Sequence, residues 1–174
     1  MRLKSYINEN TNIAQKITRE CSDILSLPNP LTLYRGSKKE VNIANRFIPR
    51  TDRIPSDIKM EIHNEYDKLF YEKFGWKARS EGVFASGSKR ISYGKPYLFF
   101  PVNGYKFVWS PDIFDLYTSK FNSITNIEKG FKAYTDGNLR KAVLSGNEII
   151  FKCKAYWLVN IYNDAGLDII HEIM

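Results

Sequence analysis

The feature that most constrains this chain is the stretch 145–160, which reads SGNEIIFKCKAYWLVN. A turn signal, Ser145-Gly146-Asn147, is followed by Glu148 and then by a run dominated by β-branched and aromatic residues. An apolar run of these types that begins at a turn predicts a strand in the protein core. The sequence therefore predicts a core strand with one acidic residue, Glu148, at its start. Glu148 is either a solvated residue at a strand end or a functional group.

The composition suits one folded domain. Of the 174 residues, 43% are apolar and 14% are aromatic, which is enough to bury a core. Lys and Arg number 26 against 19 Asp and Glu, so the net charge is +7. This charge is compatible with a nucleic acid, a nucleotide or an acidic protein surface as partner. No long basic run is present, so nucleic-acid binding is permitted and not specifically indicated.

The cysteines and the apolar runs limit the environment that we expect. Cys21 and Cys153, together with two histidines, cannot build a disulfide framework or a metal cluster. We therefore expect reduced, buried thiols, a cytoplasmic type of environment and no metal site. No apolar run approaches the roughly 18 residues of a membrane span, so no membrane partner is expected.

Periodicity and turn signals predict mixed helices and strands. Before residue 79 we expect a helix over 12–26, a strand over 31–36, a loop over 37–54, and a helix that opens at 54–57 and ends at Gly75. His63 lies off the apolar stripe of that second helix, so we expect it at the surface. Farther on, we expect a strand over 83–85, a helical turn over 91–94 and a strand pair over 97–102 and 105–109. After these we expect a helix from 110, a helix over 138–144 and a last strand over 167–173. Asn103-Gly104 predicts a hairpin between the paired strands, and Gly146 predicts the end of the short helix.

Two further polar groups lie at predicted strand ends. Arg35 ends the first strand and is followed by Gly36. It is either a surface charge or a fixed guanidinium that grips a phosphate with two hydrogen bonds. Ser86 and Ser88 follow the strand over 83–85, where they form either a plain turn or a site at which Gly87 lets a ligand approach the backbone.

These elements resemble the Arg-Ser-Glu class of mono-ADP-ribosyltransferases. The shared motifs are a strand arginine in Leu33-Tyr34-Arg35-Gly36, a Phe-x-Ser-Thr-Ser segment matched by Phe84-Ala85-Ser86-Gly87-Ser88, and a glutamate that begins a strand, Glu148. The resemblance spans residues 31–160, with Gly87 in place of the usual threonine. It implies an α+β fold with split antiparallel β-sheets flanked by helices, formed by one domain over 11–174.

The resemblance also implies an activity and a set of site residues. The enzyme would transfer ADP-ribose from NAD, its co-substrate, to a host protein or nucleic acid. Glu148 would stabilise the oxocarbenium-like ribose that nicotinamide leaves behind, because a nearby carboxylate favours that positive charge. Arg35 would bind the NAD phosphates and Ser86 would orient Glu148. Gly36, Ser88 and Tyr93 would complete the NAD site, although Tyr93 equally fits a packing role.

The sequence departs from the family at one position. Members that modify arginine carry Glu or Gln two residues before the catalytic glutamate, and this chain has Gly146 there. The acceptor is then not arginine, or another residue activates it, or the chain is a descendant that only binds. The branch of the fold that uses a histidine on the first strand is not matched, because Arg35 holds that position and neither His63 nor His171 is placed to serve.

The first residues resemble a second family feature. Residues 1–9, MRLKSYINE, are similar to the capsid-targeting peptides of internal head proteins in large tailed phages, which are cut after an aliphatic-x-Glu such as Ile7-Asn8-Glu9. An ordinary first helical turn or a tag fits residues 1–10 as well. The phage reading implies a virion protein that associates with capsid or phage DNA and then enters the host cytoplasm. The alternative function is a basic, DNA-associated virion protein without enzymatic activity.

Overall fold

Seven strands form one antiparallel sheet in the computed structural model, which describes residues 2–55, 58–90, 93–116, 128 and 130–174. Their order across the sheet is β2-β7-β4-β1-β3-β6-β5. The strands are β1 (Tyr34–Ser37), β2 (Ala44–Phe47), β3 (Val83–Ser86), β4 (Lys95–Pro101), β5 (Lys106–Trp109), β6 (Glu148–Lys152) and β7 (Tyr156–Val159). With the helices of the described residues, the sheet confirms the predicted α+β class.

The helices of the described residues are α1 (Arg2–Glu20), α2 (Ser22–Leu25), α3 (Met60–Phe74), α4 (Ala78–Glu81), α5 (Leu139–Ser145) and α6 (Asp164–Ile173). Helix α1 runs without a break through 10–12, so the backbone of the N-terminal segment is continuous with the helix predicted over 12–26. Ala14, Ile17 and Cys21 are buried at helical spacing along this part of the chain. No helix of the described ranges is long and apolar enough to cross a bilayer.

The sheet has a narrow junction between β1 and β3. Tyr34 and Ser86 are the one registered pair that joins these two strands. Each of the other neighbouring strand pairs is registered at four positions. The sheet therefore consists of a four-stranded half, β2-β7-β4-β1, and a three-stranded half, β3-β6-β5, held together by few backbone contacts.

Two hydrophobic clusters explain the apolar run that follows Glu148. Ile149 and Phe151 belong to the larger cluster, which includes residues of α1, β4 and β7. Ile150 belongs to the smaller cluster, which is built on α3. Because successive side chains of a strand point to opposite faces, β6 is covered on both faces. Glu148 shares its face with Ile150, and so it faces the side of the sheet that α3 covers.

The predicted single core strand is two strands. Residues 153–155 separate β6 from β7, and the two strands lie in different halves of the sheet. The predicted loop over 37–54 contains β2, which pairs with β7 along Ala44–Phe47. Strand β2 forms because it pairs with β7, which is distant in sequence, and the residues of 44–47 show no alternating pattern that would predict a strand.

The predicted hairpin at Asn103-Gly104 is wrong. Strand β4 pairs with β1 and β7, whereas β5 pairs with β6 in the other half of the sheet. The turn instead binds the junction of α1 and α2. The Asn103 side chain donates to the Arg19 carbonyl and to the Ser22 hydroxyl, and the Gly104 amide donates to Asp23. These long-range contacts outweigh the local preference for a two-residue hairpin.

The predicted last strand over 167–173 is also wrong, because these residues belong to α6. The Asn163 side chain caps this helix by accepting a hydrogen bond from the Gly166 amide, and Asp164 lies in its first turn. Ala165 and Ile169 are buried one turn apart. The helical spacing is present in the sequence, but Asn163-Asp164, which begins α6, also has the composition of a turn before a strand.

Other boundaries differ less. Helix α3 begins at Met60 and not at the predicted 54–57, of which Ser56 and Asp57 lie outside the described residues, and it ends at the left-handed Gly75 as predicted. Helix α5 and its end at Gly146 are confirmed. Residues 110–116 form turns and no helix, and the rest of that predicted helix lies largely outside the described residues. Of the turn predicted over 91–94, Ile91 and Ser92 are also outside them.

The two cysteines are free thiols, with Cys21 buried and Cys153 half-buried. Burial raises the pKa of each thiol to about 12. Both thiols are therefore protonated near neutral pH. The expectation of reduced thiols agrees with this arrangement, and the expected burial is complete for Cys21 alone.

Candidate functional site

The three residues singled out in the sequence lie on neighbouring strands. Ser86 at the end of β3 is the register partner of Glu148 at the start of β6. Ser86 is also the partner of Tyr34, which directly precedes Arg35 in β1. Directly opposed residues of antiparallel strands point to the same face and have adjacent Cβ atoms. The fold thus brings the ends of three strands together at the junction between the two sheet halves.

Arg35 is held across the narrow junction. Its Nη1 atom donates to the Phe84 carbonyl at 2.7 Å. Its Cζ atom lies 5.4 Å from the centre of the Tyr156 ring. Arg35 has no ion-pair partner among the described residues. The guanidinium is therefore fixed in direction and keeps most of its donors for another acceptor.

The Ser86 hydroxyl stabilises the turn before Glu148. It donates to the Gly146 carbonyl at 2.7 Å and accepts from the Ser88 amide at 3.1 Å. Its donated hydrogen bond goes to the backbone and not to the Glu148 carboxyl. Ser86 thus positions Glu148 through the backbone that leads into β6.

The Glu148 carboxyl is in an unusual environment. Its Oε1 atom is buried and has no hydrogen-bond partner among the described residues. Burial raises the pKa of Glu148 to about 7, and Asp115 raises it further, whereas Arg79, Arg53 and a backbone hydrogen bond from Leu116 lower it. A carboxyl that titrates near neutral pH in such a place is typical of functional sites.

Two glycines shape the turns around Ser86 and Glu148. Gly87 packs so closely on α5 that an added Cβ would lie 1.9 Å from the Val143 carbonyl oxygen. The threonine usual at this position of the family motif would not fit. Gly146 has a φ of 72°, in the left-handed region, although an added Cβ would meet only an ordinary contact, with the Ser88 Cβ at 3.5 Å. The residue before the β6 turn is thus a glycine because of backbone geometry.

The other predicted NAD-site residues lie around this junction. Gly36 is buried in β1 opposite Pro96 of β4. The Ser88 hydroxyl accepts from the Arg90 amide at 3.2 Å. Tyr93 is 52% exposed, and the Lys38 Nζ atom lies 4.8 Å from its ring centre. Tyr93 is therefore not a core residue, and its ring is accessible for stacking.

Two arginines that the sequence reasoning missed lie beside Glu148. Arg53 precedes α3, and its Cζ atom is 4.5 Å from the centre of the Phe84 ring. Arg79 lies in α4, and its Cζ atom is 5.2 Å from the same centre. Both influence the pKa of Glu148. No local pattern marks either residue, because tertiary packing alone brings them to β3.

His63 is buried, so its predicted surface position is wrong. Its Nε2 atom lies 3.0 Å from the Ser80 hydroxyl, which donates to Asp67. Asp67 also accepts the backbone amides of Arg79 and Ser80. Burial lowers the pKa of His63 despite the opposing effect of Asp67. Because Ser80 gives its proton to Asp67, this cluster anchors α4 and does not form a nucleophilic triad.

No family model, no curated protein and no solved structure matches this chain.

Among the described residues, no group of three or more His, Cys, Asp or Glu side chains is arranged to hold a metal ion. What the junction offers is one buried carboxyl, Glu148, that is coupled to the charges of Arg53 and Arg79. The Arg35 guanidinium lies on the Phe84 carbonyl of the neighbouring strand. A carboxylate can stabilise a positive charge that develops beside it, and guanidiniums can bind phosphate oxygens. The combination suits a ligand that carries negatively charged phosphates and develops a positive charge when it reacts.

Proposed function

We propose that this protein is an NAD-dependent mono-ADP-ribosyltransferase that modifies a host macromolecule. The observation that carries the proposal is the register of three strands at one junction. Ser86 is opposite Glu148, and Arg35 on the next strand is hydrogen-bonded to β3. The sequence motifs that suggested the family are thus neighbours in space as well as ordered in the chain.

The state of Glu148 supports its role at the reacting ribose. The nicotinamide ring of NAD is cationic, and its departure leaves positive charge on the ribose. An ionised Glu148 would stabilise this charge in a site with little water. With a pKa of about 7, both forms of the carboxyl are present at neutral pH, and the cationic substrate would favour the ionised one.

The divided sheet supports an ADP-ribosyltransferase-like fold. In the proposed fold, the split between the antiparallel halves is where NAD binds. Here the β1–β3 junction consists of the Tyr34–Ser86 pair. Arg35 would bind the NAD phosphates there, with Gly36 and Ser88 lining the approach and Tyr93 stacking on the nicotinamide.

Gly146 bears on the acceptor. A Glu or Gln at this position would have to adopt a left-handed backbone, which costs about 1 kcal/mol for a residue with a Cβ atom. The chain therefore lacks the group that activates arginine in related enzymes. We propose an acceptor other than an arginine side chain, or activation by a residue elsewhere in the site.

Labelled NAD tests the proposed activity. The protein would be incubated with NAD labelled in its adenylate part and with host lysate, and transfer to a macromolecule would be followed. Glu148→Gln should lower the rate on the order of 100-fold or more, because it removes about 3 kcal/mol of transition-state stabilisation. The matched control is Glu172→Gln, which changes an exposed glutamate of α6 and should leave the rate unchanged. Labelling that persists in Glu148→Gln would reject the role of Glu148.

The net charge of +7 supports a second candidate function, that of a DNA-associated virion protein without enzymatic activity. It predicts DNA binding that weakens steeply with salt and no consumption of NAD. A virion origin also predicts cleavage after Glu9, which intact-mass measurement of packaged protein would detect. Such cleavage would leave in place Ala14 and Ile17, which α1 buries in the core.

A further inference from the structure

Three guanidiniums converge on one residue of β3. Arg35 donates to the Phe84 carbonyl, and the Cζ atoms of Arg53 and Arg79 lie 4.5 and 5.2 Å from the Phe84 ring centre. They come from different parts of the chain: a strand, the segment before α3, and α4. Phe84 is thus surrounded by positive charge from separate elements.

This cluster lacks enough negative charge. None of the three arginines forms an ion pair with a described residue. The Nε atom of Arg79 is buried without a hydrogen-bond partner in the described part of the chain. Burial lowers the pKa of Arg53 and the charges of Arg35 and Arg79 lower it further, whereas Glu148 and Tyr93 raise it. Half-buried cations that repel one another and have no ion-pair partner are costly to hold together, and an anionic ligand would relieve that cost.

The cluster is also held in place before any ligand arrives. Asp67 accepts the backbone amides of Arg79 and Ser80, at 2.8 and 3.2 Å, and so fixes the start of α4. Asp67 is itself only 5% exposed. A guanidinium on a fixed backbone loses less entropy when it binds, which favours specific recognition over loose attraction.

We propose that Arg53 and Arg79, together with Arg35, form a binding site for a diphosphate group. Planar guanidiniums donate in pairs to phosphate oxygens, and several of them can share the charge of one diphosphate. The inference rests on the proposed function in that NAD would supply the diphosphate. The ribose next to the diphosphate would then lie beside Glu148, to whose carboxyl Arg53 and Arg79 are coupled.

Calorimetric titration with inorganic pyrophosphate and with ADP tests this site without any turnover. Arg53→Gln and Arg79→Gln should each weaken binding of both probes at least tenfold, which corresponds to about 1.4 kcal/mol. Arg50→Gln is the matched control, because Arg50 is an exposed neighbour of Arg53 that pairs with Asp52. It should change affinity less than twofold. Adenosine, which carries no phosphate, should bind all four proteins equally weakly.

The outcomes separate this site from the proposed activity. Variants that remain folded by circular dichroism and bind pyrophosphate as tightly as the unaltered protein would overturn the diphosphate site. If pyrophosphate binds through these arginines and NAD is never consumed, the site stands and the transferase proposal fails. If NAD is consumed with the same KM in Arg53→Gln and Arg79→Gln, the transferase proposal stands and the site fails.

Discussion

The buried carboxyl of Glu148 should make the folded protein less stable as pH rises from about 4.5 to about 7. Its pKa is raised from an ordinary value of 4.5 to about 7, chiefly by burial. The folded state therefore holds the proton more tightly than the unfolded state does. Between about pH 4.5 and 7 the unfolded chain has released this proton and the folded chain has not, so stability falls as pH increases.

The size of the effect follows from that difference in pKa. One pKa unit corresponds to about 1.4 kcal/mol, so full ionisation of Glu148 costs the folded state up to about 3 kcal/mol. Glu148→Gln keeps the shape of the side chain and removes its charge. At pH 8 the variant should be more stable by up to about 3 kcal/mol, which for a chain of this size raises Tm by roughly 5–10 °C. At pH 4.5 the two proteins should differ little.

Urea unfolding of both proteins at several pH values between 4.5 and 8 measures this difference directly. Burial lowers the pKa of His63 below its ordinary value, so the titration of His63 makes stability rise with pH. This opposite contribution is present in both proteins and cancels in their difference. A Glu148→Gln variant that is less stable than the unaltered protein at pH 8 would refute the reasoning. So would a difference in stability that is the same at pH 5 and pH 8.

Three further substitutions test the packing and the caps around the site. Gly87→Ala should destabilise the protein by about 3 kcal/mol, because its Cβ would clash with the Val143 carbonyl; urea unfolding measures this, with the open position Gly104→Ala as a control that costs about 1 kcal/mol. Asp67→Ala should cost about 3 kcal/mol and increase amide exchange in α4, since two backbone amides lose their buried acceptor; unchanged exchange there would contradict the anchoring role. Asn163→Ala removes the cap of α6 and should lower Tm by a few degrees, for a loss of about 1 kcal/mol.

The local signals around the site were strong enough to read from the sequence. Turn and β-forming residues predicted the start of β6 at Glu148, and the left-handed Gly146 was predicted as the end of α5. The end of β3 at Ser86 was predicted in the same way. The predicted strand end at Arg35 is wrong, because β1 runs from Tyr34 to Ser37 and Arg35 is its second residue. Each of the confirmed features depends on residues within a few positions of one another, which is the range over which propensity and turn chemistry act.

Long-range pairing was not predictable in this way. The Asn103-Gly104 turn has the sequence of a hairpin, yet its polar groups bind the α1–α2 junction 80 residues away. Helix α6 was missed because its apolar residues fit both a strand and a helix, and its packing on α1 decides between them. Arg53 and Arg79 carry no pattern at all, and they reach Glu148 only after α3 and α4 have folded onto the sheet.

His63 shows that the spacing of apolar residues alone does not identify every buried position of a helix. The apolar residues of α3 predicted a buried face that does not include His63. The structure buries His63 and Asp67 together, because Ser80 and the α4 amides satisfy most of their polar atoms. A polar residue with partners from another element can lie in a core, and sequence alone does not reveal those partners.

Gly146 has an evolutionary consequence. The same residue terminates α5 with a positive φ. It also occupies the position where arginine-modifying members of the proposed family carry Glu or Gln. A mutation that introduced Glu there would weaken the end of a helix. Under the proposed function, it would supply an arginine-activating group in the same step. If the proposed function holds, acceptor preference and stability are coupled at this position, and a stabilising change elsewhere would offset the cost of gaining arginine specificity.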